Sequence, residues 1–370
     1  MGKDEDRSPK KTKINSTKAW KGIINTYKEL LPEINRENII TLNEGNTPLI
    51  EAVNLCDKIG LASKLYFKFE GLNPTGSFKD RGMTVAISKA VQDGAKAVIC
   101  ASTGNTSAAA AAYSARANIK AVVLIPEGKI AKGKLVQALV HGAEVLQIEG
   151  NFDDALNIVK TIVNSLPLTL VNSINPYRLE GQKTAAFEVC DQLGCSPDYH
   201  ILPVGNAGNI TAYWRGYKQY KEIGLIDKLP KMVGFQASGA APIVLGHPVE
   251  KPETVASAIR IGNPASWRYA VSARDESGGM IDTVTDEEIL EAQYICASTE
   301  GIFCEPASAS TVAGLIKFNK KGYFNKNSAI ICTLTGNGLK DIDIVLNRTK
   351  EPIKIKSDLE AVQSYIGKLI

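Results

Sequence analysis

Several features that would define a specialised class of protein are scarce in this sequence of 370 residues. Its 43 Lys and Arg residues nearly balance 39 Asp and Glu residues, and a net charge of +4 gives no indication of nucleic-acid binding. It has only three His residues, which do not cluster with Cys at ligand spacing, so no metal site is predicted. No apolar run approaches the ~18 residues of a membrane span, and the first residues lack a signal-peptide core, so no membrane partner is expected.

The seven cysteines are odd in number and include no CxxC pair. Cys100 follows Val98-Ile99 and Cys332 follows Ile331, and such apolar settings are typical of buried, reduced thiols. We therefore expect a cytoplasmic protein. The sequence also lacks a GxSxG motif, so a serine hydrolase has little support.

Short apolar runs alternate with helical stretches from residue 65 onward, which is typical of right-handed βαβ units. The pattern recurs in the second half of the chain. We therefore predict an α/β fold with two open, mostly parallel twisted sheets flanked by helices, and an active site in the cleft between two domains. The predicted strands are residues 65–69, 97–101, 121–125, 143–148, 199–204, 231–236 and 329–334. The predicted helices are residues 16–30, 80–93, 106–117, 131–141, 209–222, 286–299 with Thr285 as N-cap, and 358–366, whereas residues 237–284 should be rich in loops.

Lys79 stands at the start of a predicted helix, after the turn-rich run N-P-T-G-S-F at residues 73–78. An amine held there can form an imine with an aldehyde cofactor, and it can move protons once a substrate amine displaces it. We expect Arg81, Lys68 and the helix N-terminus to lower the pKa of Lys79. Taken alone, Lys79 is more easily explained as an ordinary surface lysine, so the interpretation depends on other motifs.

A second loop, G-N-A-G-N at residues 205–209, follows a predicted strand and opens a predicted helix. Its small residues let the backbone approach an anion, and the N–H groups of a helix start favour a phosphate. The loop has neither the Gly-Lys-Ser/Thr of a nucleotide P-loop nor the GxGxxG of a dinucleotide site. An ordinary tight turn would look the same, but together with the lysine loop it indicates pyridoxal phosphate (PLP).

The same two loops are accompanied by further motifs in a fixed order. These are E-G-N-T-P-L at residues 44–49, S-T-G-N-T at 102–106, N-S-I-N-P-Y-R-L-E-G-Q-K-T at 172–184 and L-T-G-N-G at 334–338. The set resembles the threonine synthases of the shorter bacterial and archaeal kind, a family of fold type II PLP enzymes. The resemblance runs from about residue 44 to about residue 341, and the combination is specific although no single motif is.

The resemblance implies a role for each part of the cofactor site. Lys79 holds PLP as an imine, and Asn105 hydrogen-bonds its 3′-oxygen. Thr335 faces the pyridine nitrogen with a neutral hydroxyl, where Asp or Arg is the usual partner. The cofactor phosphate is bound by Gly205, Asn206, Ala207, Gly208 and Asn209.

A carboxylate site is predicted at the start of the helix after strand 97–101. Ser102, Thr103 and Thr106 supply hydroxyls and N–H groups there, which suit the α-carboxylate of an amino acid. A plain helix N-cap, provided by Asn105 or Thr106 alone, is the alternative.

A second anion site is predicted between residues 172 and 183. Asn172, Ser173, Arg178 and Lys183 supply an amide, a hydroxyl and two cations within a dozen residues. Arg178 suits bidentate binding of a substrate phosphate. A solvated basic helix start is the alternative.

The resemblance, together with these features, implies a lyase that converts O-phospho-L-homoserine and water to L-threonine and phosphate, with Lys79 as the proton shuttle. A threonine or serine dehydratase of the same fold needs no second phosphate site. A non-catalytic metabolite-binding protein would not need an intact Lys79. An activity assay with phosphohomoserine, threonine and serine, together with an absorbance spectrum of the protein, tests both alternatives. A homodimer is expected because dimers are common in this fold family.

The expected domain boundaries are approximate. Residues 1–13 are predicted to be a mobile tail. Residues 14–80 together with 178–370 would form the large PLP-binding domain, and residues 81–177 the small α/β domain.

Overall fold

The structure, a computed structural model, describes residues 19–127, 132–150, 152–346 and 351–369. The tail predicted at residues 1–13 and the first residues of the helix predicted at 16–30 lie outside this part of the chain. The helices are α1 Ile23–Thr26, α2 Val53–Ile59, α3 Lys79–Gln92, α4 Asn105–Arg116, α5 Lys132–Val140, α6 Phe152–Ile162, α7 Pro176–Leu193, α8 Gly208–Glu222, α9 Pro242–Leu245, α10 Trp267–Glu276, α11 Asp286–Glu300, α12 Pro306–Asn319, α13 Ile342–Leu346 and α14 Leu359–Ile366. The strands are β1 Leu49–Glu51, β2 Lys64–Phe69, β3 Ala97–Ala101, β4 Lys120–Pro126, β5 Glu144–Ile148, β6 Leu168–Leu170, β7 Tyr199–Pro203, β8 Lys231–Ala237, β9 Met280–Val284 and β10 Ala329–Leu334.

Two sheets organise the described chain. The larger has the order β1-β2-β10-β7-β8-β9, in which β1 runs antiparallel to β2 and the other pairs are parallel. The smaller has the order β5-β4-β3-β6, and each of its pairs is parallel. The predicted α/β fold with two mostly parallel sheets is therefore confirmed. Helices supply the crossovers that parallel pairing requires.

Each sheet has a packed apolar cluster on both faces, which explains the unbroken apolar runs of its strands. In β10, Ile330 and Cys332 enter one cluster, and Ile331 enters the cluster on the opposite face. In β3, Val98 packs into the cluster on one face of the smaller sheet, and Ile99 packs into the cluster on the opposite face. This alternation follows from the two-residue period of a strand.

Helix α11 begins with the N-cap predicted from the sequence. The Thr285 side chain accepts a hydrogen bond from the Glu288 N–H, and the Glu288 carboxylate accepts one from the Thr285 N–H. This reciprocal pair is a capping box, which satisfies two backbone donors at once. No helix in the described part of the chain combines the length and apolar character needed to cross a membrane.

One prediction of secondary structure is wrong. The described part of the helix predicted at 16–30 contains only the four-residue α1 and a short 3₁₀ turn. Gly22 has φ 82°, outside the helical region, so α1 cannot begin before Ile23. Residues 237–284 contain long loops, as expected, together with the ten-residue helix α10 and the strand β9. Strand β9 lies at the sheet edge with mostly half-buried residues, so it lacks a strong apolar pattern. The predicted domain boundaries stay a prediction.

Candidate active site

The predicted site residues follow the carboxyl ends of parallel strands in both sheets. In the larger sheet, strands β2, β10 and β7 are neighbours. Strand β2 ends just before the lysine loop, β10 just before Thr335, and β7 just before residues 205–209. In the smaller sheet, neighbouring strands β3 and β6 end just before residues 102–106 and 172–178. Ligands of open parallel sheets bind beyond these strand ends.

Side-chain hydrogen bonds join the two sets of strand ends. Asn206, in the loop after β7, donates through Nδ2 to Ser173 Oγ, after β6. Asn105, at the start of α4, donates through Nδ2 to both carboxylate oxygens of Glu305, at 3.2 and 3.1 Å. The structure therefore gathers residues from distant parts of the sequence into one region between the sheets.

The lysine loop is fixed by backbone hydrogen bonds to the segment after β10. The Phe78 N–H donates to the Thr335 carbonyl at 2.9 Å, and the Asn337 N–H donates to the Gly76 carbonyl at 3.0 Å. Gly76 has φ 80°, in the left-handed region that glycine tolerates best. Lys79 is consequently the first residue of α3 and lies close to the segment that carries Thr335.

Arg81 and Lys68 belong to a buried ion network. Arg81 donates to Glu70 and Glu188 over 2.6–2.8 Å, and Lys68 Nζ donates to Glu188 at 2.9 Å. Two cations therefore face two carboxylates, and the network joins α3 to α7 and β2. The prediction that Arg81 and Lys68 lower the pKa of Lys79 is wrong, because the charges acting on Lys79 come from other residues.

Lys79 has two different cations beside it. The loss of water around its ammonium is the largest effect on its pKa, Arg178 and Lys134 add repulsion, and Glu305 opposes them. Together they lower the pKa of Lys79 to about 7. A large fraction of the amine is then unprotonated near neutral pH, as attack on an aldehyde requires.

Residues 205–209 present a row of backbone donors at the start of α8. In the hydrogen bonding of the described chain, none of their five N–H groups is used as a donor. Ala207 has φ 63° and precedes α8 without a side-chain cap. A Cβ at Gly205 would lie 2.8 Å from the Cα of Ile259, so glycine is needed there. Free N–H groups at a helix start suit a phosphate.

The asparagine side chains of this loop form hydrogen bonds with backbone groups and so fix the conformation of the loop. Asn209 donates through Nδ2 to the Pro203 carbonyl at 2.8 Å and accepts from the Ile210 N–H at 2.7 Å. The Oδ1 of Asn206 accepts from the Ala265 N–H at 2.5 Å. The backbone of the loop, rather than these side chains, is therefore free to bind an anion.

The start of α4 has no side-chain cap. The helix begins at Asn105, its N-cap is Gly104, and the Ser102 hydroxyl accepts from the Gly104 N–H at 3.1 Å. The half-buried Thr103 and Thr106 have hydroxyls that make no hydrogen bond within the described chain. The alternative of a plain cap from Asn105 or Thr106 is therefore wrong, and donors remain for a carboxylate.

Three of the four residues predicted for the second anion site already have partners. Asn172 pairs through Oδ1 and Nδ2 with the backbone N–H and carbonyl of Ala101, both at 2.9 Å. Lys183 forms an ion pair with Glu180, one turn earlier on α7. The hydroxyl of Ser173 accepts the bond from Asn206 described above. Asn172 and Lys183 thus act mainly on their own neighbours in this structure.

Arg178 differs from these residues because much of its hydrogen-bonding capacity is unused. Its side chain is fully buried, and Nη1 donates to the Val171 carbonyl at 3.0 Å. Nε and Nη2 have no partner within the described chain. Desolvation lowers its pKa to about 10 despite a small opposing effect from Cys100. A buried guanidinium with two free donors and no carboxylate partner is suited to bind an anion.

The sequence did not point to Lys134 and Glu305, two residues that complete this region. Lys134 is buried, and its Nζ donates to Asp341 and Ser257, both at 2.8 Å, and lies 3.5 Å from Glu305. Glu305 also accepts from the Thr335 hydroxyl at 3.4 Å. A weak signal for Glu305 was available, because it directly precedes Pro306 at a helix start, where an acid suits the helix dipole.

The residues present fit PLP. Lys79 offers a neutral amine for its aldehyde, and residues 205–209 offer free N–H groups for its phosphate. The buried Oδ1 of Asn105 has no partner within the described chain, so it is open to a bound group. This combination defines a PLP-dependent enzyme of the α/β class.

Comparison with known proteins gives the same result. The family described as "Pyridoxal-phosphate dependent enzyme" matches residues 40–336. A threonine synthase from Synechocystis is 58% identical over 350 residues, covering 94% of this chain and 91% of the relative. One from Methanocaldococcus jannaschii is 51% identical, covering 97% and 91%. Maize serine racemase has a similar structure, with a TM-score of 0.71, 20% identity and coverage of 94% and 98%.

The chain belongs to the threonine synthases, a family of PLP-dependent enzymes. The predicted family, fold type and cofactor are therefore confirmed. The racemase contributes evidence on the fold alone, because its identity to this chain is low.

Proposed function

We propose that this enzyme converts O-phospho-L-homoserine and water to L-threonine and phosphate. The observation that supports the proposal is the buried Arg178, whose Nε and Nη2 have no partner in the described chain and suit an anion other than one bound by residues 205–209. A substrate with both a carboxylate and a phosphate, handled by a cofactor with its own phosphate, needs three anion sites. The start of α4, Arg178 and residues 205–209 supply three.

The chain's own residues divide the work as follows. Residues 102–106 orient the substrate carboxylate, and Arg178 with Ser173 holds the substrate phosphate. Lys79, once displaced from the cofactor, removes the α-proton and returns protons to the carbon chain. Its lowered pKa suits both directions of transfer near neutral pH. PLP supplies an electron sink for the charge that develops on carbon.

The roles of the remaining predicted residues are part of the same proposal. Asn105 and Thr335 contact the cofactor ring, and the backbone of residues 205–209 binds its phosphate. Asn172 holds the second anion segment through Ala101, and Lys183 contributes to it only if Glu180 releases it. The departing phosphate, still held by Arg178, is proposed as the base that activates water.

The experiment that tests the proposal compares substrates. Purified enzyme is assayed with O-phospho-L-homoserine, L-threonine and L-serine, and the absorbance of bound PLP is recorded in parallel. Threonine and phosphate should form in equal amounts from the first substrate. Turnover of threonine or serine with none of phosphohomoserine would favour a dehydratase. No turnover of any substrate would favour a metabolite-binding protein.

Lys79→Ala provides the matching test of the catalytic residue. The variant should lose the absorbance of the covalently held cofactor and retain less than about 1% of turnover, because the proton shuttle is removed. Full turnover by this variant would contradict the proposal.

We also propose a cytoplasmic homodimer. The seven cysteines form no disulfide in the structure, in agreement with a reducing compartment. Helix α14 has exposed apolar residues, among them Leu359 and Ile366, that a partner subunit would cover. Sedimentation of the purified protein tests the oligomeric state.

A further inference from the structure

We propose that a cleft where helices α4 and α5 end is a binding site for a small oxyanion, a carboxylate or a phosphate, outside the active site. This α4–α5 cleft has a volume of about 200 Å³. Its polar lining consists of Lys96, Ser114, Asn118, Lys120 and His141. None of these residues takes part in the proposed mechanism, so the site is independent of the proposed function.

The α4–α5 cleft and the predicted carboxylate site lie at opposite ends of the smaller sheet. Lys96 directly precedes β3 and Lys120 begins β4, whereas residues 102–106 follow the carboxyl end of β3. The Lys120 N–H donates to the Lys96 carbonyl at 3.2 Å, so the two lysines are neighbours. Because a strand residue spans about 3.3 Å, the length of β3 separates the two regions by about 17 Å. A small anion in the cleft therefore cannot also contact residues 102–106.

The charge of the α4–α5 cleft favours an anion. Lys96 and Lys120 are exposed, and neither forms an ion pair within the described chain. Among the described residues that line the cleft, none is acidic. Partial burial and the ammonium of Lys340 lower the pKa of His141, so near neutral pH its imidazole offers a hydrogen bond without a charge.

The ends of the two helices oppose this charge, but only in part. A helix C-terminus carries about −0.5 elementary charge, and both α4 and α5 end at the cleft. Two ammonium groups outweigh two such partial charges. The cleft therefore keeps a net positive charge that an anion would neutralise.

Ser114 gives the α4–α5 cleft a buried hydroxyl that nothing in the described chain satisfies. It follows five alanines and Tyr113 on α4, its side chain is 1% exposed, and its Oγ has no hydrogen-bond partner. A buried hydroxyl without a partner is costly, and Ala would favour the helix more at this position. An oxyanion that accepts a hydrogen bond from Ser114 would remove this cost.

Two simpler roles for these residues need no anion. The lysines could serve only to balance the helix ends, since cations near a helix C-terminus are favourable. That role does not require the uncharged Ser114 hydroxyl. Water in the cleft could satisfy Ser114, but water does not require two unpaired ammonium groups beside it. An oxyanion accounts for both features, and the variants below separate the three cases.

The experiment measures anion binding to the PLP-loaded protein by titration calorimetry. Inorganic phosphate and acetate are the probes, because they distinguish a phosphate site from a carboxylate site. Arg178→Met holoenzyme is titrated in parallel, since it lacks the proposed substrate-phosphate site and should retain the cleft. We expect saturable, millimolar binding of at least one probe in both proteins. Sodium chloride at about 0.5 M should weaken this binding, because it screens exposed charges.

Three variants test the residues of the α4–α5 cleft. Lys120→Met should weaken binding about three- to fivefold, as expected for one exposed charge contact, and Lys96→Met added to it should bring the loss to about tenfold or more. Ser114→Ala should weaken binding about fivefold, the effect of one lost hydrogen bond. This variant should fold at least as stably as the wild type, because Ala suits a helix interior.

Lys160→Met is the matched control. Lys160 is an exposed lysine of α6, which packs on the opposite face of the smaller sheet from α4 and α5. Its removal changes the net charge by the same amount as Lys120→Met. The control should therefore leave the dissociation constants of both probes at their wild-type values.

Four outcomes would overturn the site. They are no saturable binding of either probe, equal weakening by Lys160→Met and Lys120→Met, unchanged binding in Ser114→Ala, and binding that disappears in Arg178→Met but persists in the cleft variants. The second would mean a nonspecific attraction, the third a hydroxyl that binds only water, and the fourth an anion bound in the proposed active site. Failure of the proposed function would leave these measurements unaffected, because none of them uses a substrate.

Discussion

Replacing Arg178 should have opposite effects on the stability of the protein and on its activity. The buried guanidinium of Arg178 has one hydrogen-bond partner, and desolvation lowers its pKa from the ordinary arginine value to about 10. That difference corresponds to about 3 kcal/mol by which burial disfavours the charged form. Arg178→Met removes the charge and keeps much of the volume, but it leaves the Val171 carbonyl unpaired at a cost of about 1 kcal/mol. We therefore expect the free energy of unfolding to rise by about 1–2 kcal/mol.

The same variant should lose activity. Two charge-assisted hydrogen bonds to the substrate phosphate contribute about 3 kcal/mol or more, so kcat/KM should fall at least about 100-fold. Urea unfolding of the apoprotein measures the stability, and a phosphate-release assay measures kcat/KM. Inorganic phosphate at about 100 times its Kd should stabilise wild-type holoenzyme by about 2.7 kcal/mol and leave Arg178→Met unaffected. Holoenzyme is used so that the loop at residues 205–209, proposed to bind the cofactor phosphate, does not take up the added phosphate.

Arg274→Met is the control, because Arg274 is partly exposed and pairs with the neighbouring Asp275. It should change stability by less than about 0.5 kcal/mol and leave kcat/KM at the wild-type value. A clear loss of stability in Arg178→Met would mean that the guanidinium serves the fold. Unchanged kcat/KM would mean that it does not bind the substrate phosphate.

Three further predictions concern residues around Lys79. Glu188→Gln should destabilise the protein by about 3–5 kcal/mol in urea unfolding, because Arg81 and Lys68 lose their shared carboxylate. Since these cations lower the folded pKa of Glu188 to about 2, its contribution is present above about pH 4.5 and is lost as pH falls toward 2. Burial raises the pKa of Asp80 to about 7, so apoprotein stability should fall between about pH 4 and 7 by up to about 4 kcal/mol, and Asp80→Asn should abolish this slope. Gly336→Ala should weaken PLP binding in equilibrium titration, because its Cβ would lie 2.4 Å from Glu305; wild-type affinity would show that Glu305 can move without consequence.

The sequence contained enough information for the fold class and for the identity of the cofactor. Strands β3 and β10 have continuous apolar runs because both faces of their sheets are covered, and the observed bounds agree with the predicted ones. The lysine loop and residues 205–209 were recognisable because their Gly and Pro content and their position between strand and helix are local properties. Strand β9 was not predicted, since an edge position leaves little periodic signal. The helix predicted at residues 16–30 was too long, since a left-handed glycine at position 22 is not visible as a break in the pattern.

The partners of charged side chains could not be read from the sequence. Arg81 lies two residues after Lys79, yet its charge is neutralised by Glu188, more than a hundred residues later in the chain. Glu305 and Lys134 approach Lys79 from α12 and α5, and neither belongs to a motif near it. Charge pairing depends on distances of a few ångströms between distant segments, whereas motifs report only local order.

Those pairings nevertheless single out one cation as the candidate for binding the substrate phosphate. Among the cations considered from the sequence, Lys68 and Arg81 share Glu188, and Lys183 is paired with Glu180. Arg178 alone among them is buried without a carboxylate in the described structure, and it has two unused donors. An unpaired buried charge is costly, and one that persists beside a lysine of lowered pKa is expected to be compensated by a ligand. The missing carboxylate beside Arg178 is therefore the strongest structural reason to place the substrate phosphate there.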